Sequence, residues 1–116
     1  MVESYKDLLV WQRAIQMTLA IYRLTEAFPK DERFGLTSQL RRAGVSVASN
    51  IAEGYGRLST GEYKQFLGMS RGSNLEVQTQ LVIARELGFG NSEQLVRADD
   101  LSQEVARMLV GLLRKL

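Results

Sequence analysis

Cysteine and histidine are both missing from this chain, and proline occurs once, at Pro29. Without cysteine there is no disulfide, no thiolate zinc site, no iron–sulfur cluster and no thiol nucleophile. Without histidine the usual general base near neutral pH is gone, with the commonest metal ligand and every histidine-based triad. No apolar run reaches the roughly 18 residues that a bilayer span needs. Neither sign of charge dominates: the formal net charge is only +2 although the pI is near 9.2, so composition alone does not demand a nucleic-acid partner. What remains is a chain of 116 residues, 45 % hydrophobic and 24 % charged, the balance of a soluble domain. That is enough for one hydrophobic core and too little for two. The opening Met1–Asp7 has no signal-peptide pattern, so the expected location is cytoplasmic.

Punctuation divides the chain into four helices. Phe28-Pro29-Lys30-Asp31 breaks the first helical pattern, because proline disfavours helical backbone in the residue before it. Gly54-Tyr55-Gly56-Arg57 ends the second, and Ser59-Thr60-Gly61-Glu62 reads as a capping box that opens the third. Gly88 suits a left-handed C-terminal cap, and Asn91 or Ser92 can cap the fourth helix. Helices over residues 7–27, 33–54, 60–87 and 92–115 result, and loops this short force neighbours antiparallel. The expected architecture is a single all-α domain over residues 1–116, an up-down-up-down four-helix bundle.

The helix faces carry more apolar surface than one bundle needs. The fourth helix is a plain amphipath: Leu95, Ala98, Leu101, Val105, Met108, Leu109, Leu112 and Leu116 lie opposite Arg97, Asp100, Glu104, Arg107 and Arg114. The first helix has two adjoining seams, Trp11-Ile15-Thr18-Tyr22 and Val10-Ala14-Met17-Ile21-Leu24-Phe28. On the second, Leu36, Leu40, Ala43, Val47 and Ile51 form the core seam, while Val45, Ala48, Ala52 and Tyr55 form another. The third places Tyr63, Phe66, Val77, Ala84 and Leu87 on one side and Gly68, Gly72, Leu75 and Val82 roughly opposite. A central helix touched on both sides would explain one doubled seam, but a four-helix bundle has no central helix. The surplus predicts a homo-oligomer with Val45, Ala48, Ala52, Tyr55, Gly68, Gly72, Leu75 and Val82 at its interface, since burying apolar area favours association by about 25 cal/mol per Å² before its costs.

A polar stripe also runs along the second helix, through Ser38, Arg42, Ser46, Ser49, Glu53 and Arg57. It fits either a satisfied structural network of Arg42, Ser46, Asn50, Glu53 and Arg57 or an anion or nucleic-acid site. Glu53 and Arg57 are spaced for a helical ion pair. The glycine-rich turn at 54–61 has neither the lysine of a P-loop nor the preceding strand of a dinucleotide fingerprint, and a tight helix-to-helix turn accounts for it. Residues 30–57 hold five cations, Lys30, Arg33, Arg41, Arg42 and Arg57, against Asp31, Glu32 and Glu53, which is the whole +2 excess. Arg41, Arg42, Arg57, Lys64 and Arg71 are therefore the candidate contacts to RNA or DNA backbone. An ordinary mixed-charge surface, or a purely structural module for a protein partner, is the alternative. Adjacent acids such as Asp99 and Asp100 point about 100° apart on a helix, and serines without a histidine or lysine partner are not nucleophiles. No enzyme, cofactor, metal site or membrane association is expected.

Several runs resemble the bacterial four helix bundle protein family, which includes the 23S rRNA intervening-sequence proteins. They are Leu9-Val10-Trp11-Gln12-Arg13-Ala14, Phe28-Pro29 with Glu32 to Ala43, Ser46 to Gly54 with Gly56-Arg57, and Gly72-Ser73 with Glu76 to Leu81. Met69-Ser70-Arg71 departs from that pattern, in which the family usually has an apolar, alanine-containing stretch. The resemblance implies a pentameric ring of bundles and no defined catalytic activity. It also implies kinship with accessory proteins that bind nucleic acid and a polymerase through basic surfaces.

Overall fold

In the computed structural model, which describes residues 2–116, four α-helices follow one another: α1 (Leu9–Thr25), α2 (Leu36–Tyr55), α3 (Thr60–Leu87) and α4 (Ser92–Lys115). One-turn 3-10 helices precede the first two, at Tyr5–Asp7 and Lys30–Glu32, and no strand occurs among the described residues. The expected bounds of α3 and α4 coincide with these. Those of α1 and α2 began too early, and α1 also ends two residues before the expected 27 while α2 runs one past 54; the late starts follow from local hydrogen bonding. Ser4 and Asp7 form a reciprocal capping box around the first 3-10 turn, and Leu8 is extended. Ahead of α2, the Glu32 carboxylate accepts the Leu36 N–H at 2.9 Å, so the helix starts after that cap. Ser59 Oγ accepts the Glu62 N–H at 3.1 Å as expected, but Glu62 reaches back to the Ser59 hydroxyl (3.4 Å to Oε1) rather than to its backbone N–H, and its other oxygen lies 4.0 Å from Arg57.

Each helix packs on two neighbours only. α2 lies against α1 and α3, α4 lies against α3 and α1, and the diagonal pairs do not meet, giving a four-cornered rod of 43 × 23 × 20 Å. Leu36, Leu40, Ala43, Val47 and Ile51 of α2 are buried as read, and so are Val10, Ala14, Met17, Ile21, Leu24 and Phe28. Each large side chain fully buried here contributes about 1.5–3 kcal/mol.

The core face of α3 differs from the sequence reading. Its buried seam is Leu67, Ser70, Asn74, Val77, Leu81 and Ala84, while Tyr63 and Phe66 are half-buried and Leu87 is 58 % exposed. Two of those positions are polar, which hid the seam from a search for apolar periodicity. Their function is to tie helices together. Ser70 Oγ donates to the Val47 carbonyl at 2.8 Å, linking α3 to α2. Asn74 Nδ2 donates to the Ser102 carbonyl at 2.9 Å and Asn74 Oδ1 accepts from Ser102 Oγ at 2.7 Å, linking α3 to α4. Thr18 Oγ1 lies 3.1 Å from the Gly44 carbonyl and links α1 to α2. The fourth contact, α1 to α4, carries the Arg13–Glu104 ion pair at 2.7 Å, so Glu104 is not simply on the solvent face.

The last turn closes on the first. Gly88 (φ 72°) caps α3 in left-handed conformation, and Gly90 (φ 78°) sits where a Cβ would fall 2.7 Å from Leu24 Cδ1. Phe89 is thereby laid against Phe28, with ring centroids 5.6 Å apart.

Candidate nucleic-acid interface

The turn between α1 and α2 builds a basic, partly aromatic cleft. Pro29 starts it, and consecutive backbone bonds fix it: Glu32 N–H to the Pro29 carbonyl at 2.9 Å, Arg33 N–H to Lys30 at 3.1 Å and Gly35 N–H to Glu32 at 3.0 Å. A cavity of about 640 Å³ opens beside this turn, lined by Thr25, Glu26, Phe28, Pro29, Lys30, Arg33, Phe34, Thr37 and Arg41. Three cations face one anion there. Phe34 is 89 % exposed, with the Arg33 guanidinium 5.4 Å from its ring centroid. Arg41 is held more firmly: its Nε donates to Thr25 Oγ1 at 2.8 Å, and its guanidinium lies 4.6 Å over the Tyr22 ring. Arg41 is thus fixed and partly buried, whereas Lys30 and Arg33 are exposed beside the accessible ring; cations next to an open aromatic face have the chemistry of phosphate contact and stacking together.

The five cations singled out from sequence do not converge. Arg41 turns toward α1 and joins Lys30 and Arg33 in the cleft, which the sequence reading had noted only as part of a basic segment. Its neighbour Arg42, about 100° further round α2, lines a groove between α2 and α3 instead. Arg57 sits at the α2–α3 turn, its guanidinium 4.5 Å over Phe66. Lys64 and Arg71 are exposed along α3. The sequence reading did not single out Phe34; the compact turn that Pro29 initiates is what brings it together with Lys30 and Arg33.

The polar network is smaller than expected. Ser46 Oγ and Ser73 Oγ are 2.9 Å apart, and Asn50 Nδ2 donates to the Ser46 carbonyl and hydroxyl at 2.9 and 3.0 Å. Arg42 and Glu53 make no hydrogen bond or ion pair to it, and Arg57 pairs with Glu62 rather than Glu53. The α2–α3 groove of about 380 Å³ is lined by Gln39, Arg42, Ala43, Ser46, Ser73, Glu76 and Gln80. Within it Gln80 is 9 % exposed, and its Oε1 is buried without a hydrogen-bond partner.

Of the interface candidates, Ala48 is corrected. It is 6 % exposed, closed within the chain's own core, and cannot reach a second copy. Ala52 and Tyr55 are half-buried, with Tyr55 edge-on to Tyr63 at 6.2 Å. Val45 (44 %), Leu75 (56 %) and Val82 (46 %) are exposed, and a Cβ at Gly68 or Gly72 would meet nothing within 4 Å. An open apolar strip therefore runs along α3.

Among the described residues, no group of three or more acidic side chains converges to hold a metal ion, and no helix is long and apolar enough to cross a membrane. Burial raises the Tyr63 phenol above its usual pKa, and Tyr55 beside it adds to the rise, so it stays protonated near neutral pH.

Comparison with known proteins gives three results. The family model described as 23S rRNA-intervening sequence protein matches residues 6–111. A solved structure from Bacteroides thetaiotaomicron, described as a protein of unknown function from the S23 ribosomal protein family, is similar in fold: TM-score 0.80 at 18 % identity, over 90 % of this chain and 98 % of that one. No curated protein matches.

Proposed function

The chain belongs to the 23S rRNA-intervening sequence protein family, and from that premise we propose that it is a non-enzymatic, self-associating helical bundle of the cytoplasm that binds RNA or DNA. The observation that carries the nucleic-acid part is the convergence of Lys30, Arg33 and Arg41 on one cavity. Phosphate binding by such cations releases counterions, so affinity falls steeply with added salt. Titrating structured RNA and duplex DNA at two salt concentrations tests this. The Lys30→Ala/Arg33→Ala double variant should keep its helicity, bind more weakly at low salt, and show a log–log salt slope reduced by roughly 1.4–1.8, at 0.7–0.9 per lost phosphate contact. Lys30 and Arg33 are cleaner targets than Arg41, which also holds Thr25 and Tyr22. Absence of wild-type binding at low salt would overturn the nucleic-acid role and leave a module for a protein partner.

Self-association is supported by the open strip on α3 and by the orphaned Gln80 oxygen beside it, since a shallow depression lined by Gly72, Leu75, Thr79 and Gln80 joins the two. A second copy laid there would cover apolar surface and bring a donor to Gln80. Five copies is the number that the resemblance implies. Gly68→Ala and Gly72→Ala separate the fold from the assembly. Each should stabilise the isolated bundle by about 0.5–1 kcal/mol, because alanine suits a helix interior better than glycine, yet weaken association by blocking close helix approach. Denaturant melts at low concentration read the first effect and sedimentation the second. A wild-type monomer at micromolar concentration would sink the assembly.

A further inference from the structure

Phe34 is the anomaly of the cleft. A phenyl ring 89 % exposed gains nothing for the fold, and no neighbouring aliphatic side chain is needed to place it. The turn is too tightly bonded for the ring to be a loose end: Arg33 and Gly35 both donate backward within it, and Glu32 caps α2 through Leu36. Phe34 is thus held outward by the backbone, lining a cavity together with Phe28, Pro29, Lys30, Arg33 and Arg41.

We propose that this cleft takes single-stranded nucleic acid, with one unpaired base stacked on Phe34 and its flanking phosphates on Lys30, Arg33 and Arg41. The inference rests on the nucleic-acid role above and names the strand state it applies to. A duplex keeps its bases stacked on each other and offers the ring only an edge or a phosphate. An unpaired base offers a π-face of about the ring's own size, and Arg33 beside the ring is placed to meet a flanking phosphate. Because every base has such a face, the site discriminates strand state more than sequence. RNA and DNA share this chemistry, and parallel arms with each distinguish the two.

The test is fluorescence anisotropy with labelled 12-residue RNA and DNA strands of one mixed sequence, each single-stranded and annealed to its complement. The proteins are the wild type, Phe34→Ala and Phe34→Trp. Stacking of one base on an aromatic side chain is worth about 5- to 150-fold in affinity. Phe34→Ala should therefore weaken single-strand binding by that factor and leave duplex binding and helicity unchanged. Phe34→Trp should retain binding, with its added indole emission quenched by the single strand. Equal single-strand affinity in Phe34→Ala and wild type would overturn the stacking role while the salt-dependent binding of the previous section stands. So would a shift of Phe34→Ala toward smaller species in sedimentation, which would make the ring an assembly contact. If no strand of either kind binds at low salt, the nucleic-acid role falls first, and stacking with it.

Discussion

Asn74→Ala should lower the free energy of unfolding by about 3 kcal/mol, a Tm drop of roughly 10–20 °C for a chain of this size. Asn74 is 1 % exposed and Ser102 is fully buried. The two exchange hydrogen bonds at 2.9 and 2.7 Å across the α3–α4 contact. Truncating Asn74 strands Ser102 Oγ without an acceptor, at about 1–3 kcal/mol, and leaves a cavity besides. Ser102→Ala should cost less, since it removes only the hydroxyl. Because each single variant orphans a group that the double variant removes, the double should be more stable than additivity predicts by at least about 1 kcal/mol. Asn74→Leu with Ser102→Ala replaces both partners by apolar groups of similar size and should recover most of the loss. Strict additivity in denaturant melts would show that the pair is not coupled.

That pair also marks the limit of what the sequence disclosed. Where apolar residues alone trace the buried seam, the face was legible: α4 presents Leu95, Ala98, Leu101, Val105 and Leu109 inward as its spacing indicates, and α2 does the same with its core seam, although Ser102 and Thr37 are buried beside them. Where a helix spends core positions on polar ties, apolar counting rotates the face. Leu67, Ser70, Asn74, Val77, Leu81 and Ala84 are separated by three and four residues in strict alternation. That spacing would have revealed the seam had serine and asparagine been admitted to it. Caps were legible because they depend on neighbours in the chain, as at Ser59, Gly88 and Asn91. Long-range polar geometry was not. The Glu53–Arg57 spacing suggests an ion pair, but Arg57 stacks on Phe66 from the next helix and meets Glu62 instead. The cleft shares that limitation: Arg41 and Arg42 are adjacent in sequence, and only the packing of α2 between α1 and α3 sends them to different sites.

Gly54→Val should destabilise the bundle by about 3 kcal/mol, with Gly54→Ala costing about 1–2. From sequence this glycine reads as the stop signal of the second helix. In the structure it is inside α2, which continues through Tyr55 and is capped by Gly56. Its backbone is not left-handed either, since positive φ is confined to Gly88 and Gly90 among the described residues. The requirement is for the missing side chain. A Cβ there would lie 2.9 Å from Phe66 Cβ, 3.1 Å from Tyr63 Cδ1 and 3.3 Å from the Tyr63 carbonyl oxygen. Phe66 Cβ and the Tyr63 carbonyl move only with α3 itself, so relief comes from parting the two helices at their joined end. Parting them loosens the Tyr55–Tyr63 edge contact, the Arg57–Phe66 stack and the Arg57–Glu62 approach together. Alanine gains nearly 1 kcal/mol of helix propensity over glycine, so the overlap costs the net loss in Gly54→Ala plus about 1 kcal/mol. Gly68→Ala, with open space at its Cβ, supplies the internal control. If denaturant melts place both alanine variants above wild type, α2 and α3 do not approach as closely at Gly54 as these distances require.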